Sequence, residues 1–273
     1  MHMDFTAESV SKKAITIQAT DSLSDARDIT LKHNISRIVV VNNDTPLGVI
    51  TEKGIASYLY KEIGESLDEI RTSKVIAKHI ISVSKDTPIY ECARIMIDNK
   101  ISSLIIPNHE MSILTKSDLV RMYAENYKQI NNVRDFMTKN VLTLLPSHSL
   151  HSALAVMLKN KVSRVIIVTK DNKPVGIITS RDLMPITAFV EGDKFEKTVD
   201  NLSGIGHVML ARDVMKKPIS ITDTADLAVA AQIMNDKRIS GLPVIDSDNN
   251  LNGIITRTDI VKALLETKKE LVH

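Results

Sequence analysis

Tryptophan is absent, and Phe, Trp and Tyr together make up 3% of the 273 residues. That is too few for the aromatic platforms on which single-stranded nucleic acids stack. The one cysteine, Cys92, excludes an intrachain disulfide framework and suits a reducing compartment. Neither sign of charge dominates: 35 Lys and Arg against 33 Asp and Glu leave +2, neither a polybasic arm nor an acidic tail. No uncharged apolar run reaches the roughly 18 residues of a membrane-spanning helix. Met1-His2-Met3-Asp4 lacks the basic and then apolar pattern of a signal peptide. The expectation is a soluble, cytoplasmic protein with no membrane partner.

Chemical motifs are missing too. The P-loop pattern Gly-x-x-x-x-Gly-Lys-[Ser/Thr], the Gly-x-Ser-x-Gly elbow and His-Glu-x-x-His are absent. Ser203-Gly204-Ile205-Gly206-His207 has glycines but no preceding strand and no Gly-x-Gly-x-x-Gly. His148 and His151 stand at i, i+3 without Cys or carboxylates at ligand spacing, so they read as helix-start or surface histidines. Cys92 sits on an apolar helix face, and Met96, Met157 and Met234 occupy equivalent packing positions. No catalytic or metal site is expected, and no enzyme activity.

What the sequence has is a core and a repeat. Hydrophobic residues make up 43% and charged ones 25%, a globular composition long enough for about two domains. Asn34-Ile35-Ser36-Arg37, Lys100-Ile101-Ser102-Ser103, Lys161-Val162-Ser163-Arg164 and Arg238-Ile239-Ser240-Gly241 share one pattern, their serines 66, 61 and 77 residues apart. Thirteen residues before each serine stands Leu23, Ile89, Leu150 or Leu227; three further on come Ala26, Cys92, Ala153 and Ala230. Downstream lie Thr51, Thr115, Thr179 and Thr256, followed at +3 by Gly54, Asp118, Asp182 and Asp259. Four copies in register are a true internal repeat.

The third copy shows the unit. Val141 to Leu145 is a short apolar strand ended by the turn cluster Pro146-Ser147-His148-Ser149. Leu150, Ala153, Leu154, Met157 and Leu158 form one apolar helix face. Val162 to Val168 reads as a buried strand, Thr169 to Pro174 as a hairpin, and Val175 to Thr179 as the return strand. Ser180-Arg181-Asp182-Leu183 opens a second helix. The unit is β-α-β-β-α, an α/β (α+β) architecture too small to bury its sheet alone. Leu119 to Arg134 reads as a boundary between two halves. Met184 to Ala211 reads as a long connection, either spacer or lid.

Gly176-Ile177-Ile178-Thr179-Ser180-Arg181-Asp182, Gly253-Ile254-Ile255-Thr256-Arg257-Thr258-Asp259 and Ser240-Gly241-Leu242-Pro243-Val244-Ile245-Asp246 resemble the cystathionine-β-synthase (CBS) domain. The resemblance spans about residues 8–270. It implies units at 8–60, 74–125, 133–190 and 211–270, paired one with two and three with four into pseudo-twofold modules, 1–126 and 127–273. It further implies a stand-alone regulatory protein that binds AMP, ADP, ATP or S-adenosylmethionine between paired domains. Modules of this kind associate through their second helices, so one chain closes the assembly alone or as a homodimer. An unknown regulated protein is the implied partner, no resident cofactor is implied, and Mg²⁺ is compatible with a phosphate-bearing ligand.

Carried over residue by residue, Thr256, Thr258 and Asp259 would face Val162, Ser163 and Arg164. Thr179, Arg181 and Asp182 would face Ile239, Ser240 and Gly241, and Thr115 and Asp118 would face Ile35, Ser36 and Arg37. Lys161, Arg238 and Lys100 precede the serine strands, where they either neutralise phosphates or complement a helix end. The physics of Thr-x-x-Asp allows two roles: the acid accepts hydrogen bonds from a ribose diol, or Thr and Asp cap the helix. The fourth site is expected to be weak, because Gly54 replaces the Asp and Asn34 the cation. Copy two has Ser112 where the others have Gly48, Gly176 and Gly253, so its pocket is expected to be narrower. A nucleic-acid-associated protein and a phosphohydrolase are the alternatives; balanced charge counts against the first, and missing metal carboxylates against the second.

Overall fold

The computed structural model describes residues 5–61, 66–77, 80–107, 111–182 and 209–271. In chain order the elements of copy one are α1 (Ala7–Val10), β1 (Lys12–Lys13), β2 (Thr16–Gln18), α2 (Leu23–His33), β3 (Arg37–Asn42), β4 (Thr45–Thr51) and α3 (Glu52–Lys61). Copy two holds α4 (Thr72–Val75), α5 (Ile89–Asp98), β5 (Ser103–Ile106), β6 (Ser112–Thr115) and α6 (Lys116–Asn126). Copy three holds α7 (Val133–Phe136), β7 (Thr143–Leu144), α8 (Leu150–Lys159), β8 (Arg164–Val168) and β9 (Pro174–Thr179), with a helical turn beginning at Ser180. Copy four holds α9 (Ala211–Val214), β10 (Ile221–Thr222), α10 (Leu227–Asp236), β11 (Gly241–Ile245), β12 (Leu251–Thr256) and α11 (Arg257–Leu271).

The fold is mixed α+β with four small three-stranded sheets, as the repeat leads one to expect. Copies one, three and four build theirs alike: a parallel leading strand, a central strand and an antiparallel return, in the orders β2-β3-β4, β7-β8-β9 and β10-β11-β12. Local chemistry sets the helix starts. The Ser22 hydroxyl accepts from the Asp25 amide while the Asp25 carboxylate accepts from that of Ser22, a capping box that opens α2. Leu150, Ala153, Leu154 and Met157 of α8 point into the core, and Cys92, Met96 and Met234 are fully buried.

The leading segment of each copy packs on its neighbour rather than on its own sheet. β1 pairs with β6 of copy two, Lys12 beside Ile113 and Lys13 beside Ser112. Val49 bridges to Ala77, Ile177 to Lys216 and Ile254 to Thr138, so copies one and two exchange leads, as do copies three and four. The cores follow: Ala7 and Val10 join copy two's cluster, Leu67 and Ile70 copy one's, Val133 copy four's and Ala211 copy three's. Three glycines make this crossing possible. A Cβ on Gly48 would lie 2.8 Å from the Ala77 carbonyl oxygen, and one on Gly176 or Gly253 would meet Met215 or Met137. Those glycines admit the neighbour's lead strand, and Ser112 faces Lys13 at the same position of copy two.

The copies close into a ring in the order one, two, four, three. Sheets one and two meet through Ala14, Val39, Val41, Val49, Ile105 and Ile113. Copies three and four join at their hairpins, where Leu251 N donates to the Asn172 carbonyl at 2.9 Å. Copies two and four share one continuous core of α5, α6, α10 and α11. Leu119 to Arg134 is therefore only partly a linker. Its first eight residues belong to α6, whose polar Arg121 and Glu125 face outward, while Leu119, Val120, Met122 and Tyr123 are buried. Each such side chain contributes about 1.5–3 kcal/mol when fully buried. The second-helix face of copies two and four is thus already covered from within the chain. Met184 to Val208, with the Ser203–His207 run inside it, lies outside the described residues.

Candidate functional site

The Thr-x-x-Asp sequence produces one geometry three times. Asp118 Oδ2 accepts from the Thr115 amide at 2.9 Å and hydroxyl at 2.6 Å. Asp182 does the same with Thr179 at 2.8 and 2.6 Å, and Asp259 with Thr256 at 2.9 and 2.6 Å. Capping is realised, and it leaves Oδ1 of each carboxylate aimed at a cation. For Asp118 those are Lys12 and Arg121, each at 3.6 Å; for Asp182, Lys216 at 2.5 Å; for Asp259, Lys262 at 3.6 Å. The capped oxygen fixes the carboxylate, and the second oxygen is the one with hydrogen-bonding capacity to offer a ligand. In copy one Gly54 has no carboxylate, and its amide donates to Thr51 Oγ1 at 3.0 Å.

The serine strands begin from a strained turn. Asn34, Lys100, Lys161 and Arg238 all have left-handed backbones, with φ of 50, 54, 55 and 53°. At these helix ends glycine is the usual residue. The four positions are thus helix terminators, and the Lys161 carbonyl also accepts from Lys53 Nζ at 2.7 Å.

Several expected site residues meet between copies. Arg37, beside Ser36 and Ile35, lies close enough to Asp118 for their charges to interact, and Arg164 stands in the same relation to Asp259. Arg164 also reaches across to Ser240 Oγ at 2.5 Å, where a Cβ on Gly241 would lie 2.6 Å from its Nη1. The guanidinium thus rests on the bare backbone that follows Ile239. Among the described residues no hydrogen bond joins Thr179 or Asp182 to that strand. Val162 and Ser163 immediately precede β8, and the Ser163 carbonyl accepts from the Ser180 amide at 3.0 Å.

The residues just after each Thr converge at the centre of the ring. Arg181 pairs with Glu52 and donates to Asn34 Oδ1, both in copy one. Lys116 Nζ donates to Thr258 Oγ1 at 3.1 Å, joining copies two and four. Burial, with Arg37 nearby, pushes the Lys116 ammonium down to about 8. Burial first, then the neighbouring guanidiniums, push Arg257 down to about 10; Arg164 falls to about 10 through burial. Burial raises the Glu52 carboxyl against the pull of Arg181, Arg37 and Arg257.

Sequence reasoning missed Lys12, Lys216, Glu52, Lys116 and Arg257. A signal for the lead segments existed: Val133-Arg134-Asp135-Phe136-Met137 and Ala211-Arg212-Asp213-Val214-Met215 stand in register. The other candidates are structural. His148 Nδ1 accepts from the Leu145 amide at 3.0 Å and closes a turn, and burial raises the Cys92 thiol to about 11. Among the described residues no group of three His, Cys, Asp or Glu side chains is placed to hold a metal ion, and no helix is long and apolar enough to cross a membrane.

Four exchanged β-α-β-β-α units, three of them carrying the capped aspartate, define a tandem-repeat protein. The family model for the CBS domain matches residues 7–61, 72–125, 133–186 and 211–266. The chain belongs to the CBS domain family. It is 24% identical over 269 residues to the uncharacterized protein MJ1225 of Methanocaldococcus jannaschii, covering 92% of this chain and 95% of that one. The crystal structure of that protein superposes with a TM-score of 0.83 over 95% of this chain and 100% of its own, at 23% identity. A 28% identity over 152 residues links 56% of the chain to inosine-5'-monophosphate dehydrogenase of Aquifex aeolicus, of which it spans only 28%. CBSX2 of Arabidopsis thaliana, solved in complex with AMP, is 28% identical over half of this chain, with a TM-score of 0.42 and 98% of that chain covered.

Proposed function

We propose that this protein is a regulatory sensor that binds an adenosine-containing ligand, AMP, ADP, ATP or S-adenosylmethionine, in the clefts between copies one and two and between copies three and four. The observation that carries this reading is the aspartate geometry. In three copies the cap holds one carboxylate oxygen, and the other, faced by solvent-exposed cations, would accept from vicinal ribose hydroxyls, while copy one, with Gly54, lacks that acceptor. Exchanged lead segments tie each cleft to both of its copies, so a ligand that prefers one inter-copy arrangement shifts the whole pair. A partner protein would read that shift. Arg37, Arg164, Arg181 and Arg257 from three copies lie near one another, and the near-balanced total charge favours a small ligand over a nucleic acid. No chemical step is assigned to the chain.

The test is calorimetric titration of AMP, ATP and S-adenosylmethionine into the wild type and into Asp182→Ala/Asp259→Ala. A lost charge-assisted bond is worth about 1.5–3 kcal/mol, so each affected site weakens by roughly 10–100-fold. Binding unchanged in the double variant would leave only the Asp118 cleft, and binding that also survives Asp118→Ala would sink the ribose assignment.

A further inference from the structure

The exchanged lead segments bring one further residue to each copy's Thr-x-x-Asp turn, and the four copies differ there. Lys12 pairs with Ile113, Ala77 with Val49, Thr138 with Ile254 and Lys216 with Ile177. Each of those partners stands two residues before Thr115, Thr51, Thr256 or Thr179, so the four lead residues share one position of the repeat. Their side chains follow the acid. Lys12 reaches Asp118 Oδ1 at 3.6 Å and Lys216 reaches Asp182 Oδ1 at 2.5 Å, each across the boundary between copies. Ala77 stands in the copy where Gly54 replaces the acid. Asp259 is the one aspartate whose lead residue, Thr138, is uncharged. Its cation is Lys262, three residues along its own helix at 3.6 Å. Arg164 and Lys116 also act on Asp259 through their charge, but neither donates a hydrogen bond to it among the described residues. The Lys216 backbone exchanges two hydrogen bonds with Ile177, at 2.9 and 3.0 Å, so strand pairing holds this lysine over Asp182.

The contact matters because the other oxygen is already committed. Asp182 Oδ2 accepts from the Thr179 amide and hydroxyl, which leaves the two lone pairs of Oδ1 for anything else. A vicinal diol uses both, and an ammonium at 2.5 Å holds one. We propose that the lead residue sets the affinity of its cleft: Lys216 is a tethered competitor that a ribose diol must displace from Asp182, whereas Thr138 leaves Asp259 open, and the Asp259 cleft fills first. The inference rests on the ribose reading of the proposed function and adds to it the order in which the clefts fill.

Adenosine is the probe, because it is neutral and offers the diol without a phosphate to attract a lysine. It is titrated calorimetrically into the full chain in two backgrounds, with a thermal melt of every variant to show that it is folded. Asp118→Ala/Asp259→Ala keeps the Asp182 cleft, and Asp118→Ala/Asp182→Ala keeps the Asp259 cleft. In the first, Lys216→Thr raises the affinity about two- to fivefold, the range measured for exposed ion pairs. Higher salt raises it in the parent but not in K216T, because it screens the competing pair. In the second, Thr138→Lys lowers the affinity by a similar factor. Weaker binding by K216T would make Lys216 a ligand contact or a prop, and it overturns the proposal; so does T138K that binds as its parent does. Adenosine binding that depends on Asp182 and Asp259 but ignores both lead residues removes the competitor and leaves the proposed function standing. A wild-type chain that ignores adenosine, or one that still binds it after all three aspartates are lost, sinks the ribose reading and the competitor with it.

Discussion

At the scale of the residue, the chain repeatedly holds a backbone that glycine would adopt more cheaply. Lys100, at φ 54° after α5, is exposed, and its side chain makes no hydrogen bond among the described residues. A non-glycine residue in that conformation costs roughly 1–2 kcal/mol, of which glycine's extra chain entropy returns about half. Lys100→Gly is therefore expected to stabilise the protein by about 0.5–1 kcal/mol, read as a rise of roughly 2 °C in a thermal melt. A fall would show that the side chain contributes more than the turn costs. Lys116 gives a second residue-scale prediction. Its ammonium sits near 8 instead of 10.5, disfavoured by burial, Arg37 and Lys262 and favoured by Asp259. The unfolded chain therefore binds the proton more tightly, and stability rises with pH through that interval. Lys116→Met should stabilise the protein at pH 7 by about 2 kcal/mol, with the gain shrinking between pH 8 and 10.5 and gone above it. Denaturant titrations at pH 7, 9 and 10.5 check this, and a gain independent of pH would assign the effect to packing.

At the scale of the element, the lead segments decide which copy depends on which. α1 and β1 open copy one in the chain but complete copy two, through Ala7, Val10 and the β1–β6 pairing. Removing residues 1–13 is expected to speed amide exchange in β6 and α6 while β3 and β4 keep their protection. Loss of protection first in β3 and β4 would contradict the exchange. These segments explain why the architecture was only partly legible beforehand. The β-α-β-β-α order was readable because α8 and β8 are long enough to show their periods. A four-residue helix such as Val133–Phe136 shows none, and nothing local says that it caps another copy's core. The site divides the same way. Thr115, Thr179 and Thr256 with their aspartates share a short spacing and could be found. Glu52, Lys116 and Arg257 matter through where four distant turns meet, which depends on how the modules pack.

At the scale of the whole molecule, the shared core of copies two and four makes one body of two modules. Tyr123, fully buried, is held by Asn131 Nδ2 at 2.9 Å, which also reaches Thr267 Oγ1 at 3.0 Å. Tyr127 stacks on Tyr123 with centroids 5.2 Å apart and shares a 2.6 Å hydroxyl contact with Tyr90. Residues 1–126 and 127–273, produced as two chains, are expected to recombine one to one and to self-associate when separate, because each alone would expose that apolar face. Sedimentation checks it, and halves that run as independent monomers would mean that the modules are separable.

The crossed lead segments also bear on synthesis. Residues 7–13 leave the ribosome well ahead of the strand and helix they complete, which end at Asn126. At about 5–20 residues per second, that segment waits roughly 5–20 s for its place. Copy one in turn waits for Leu67 and Ile70, which close its core. All the parts of copy one have emerged by Ala77, so it can close first, while α1 and β1 stay unplaced until copy two follows.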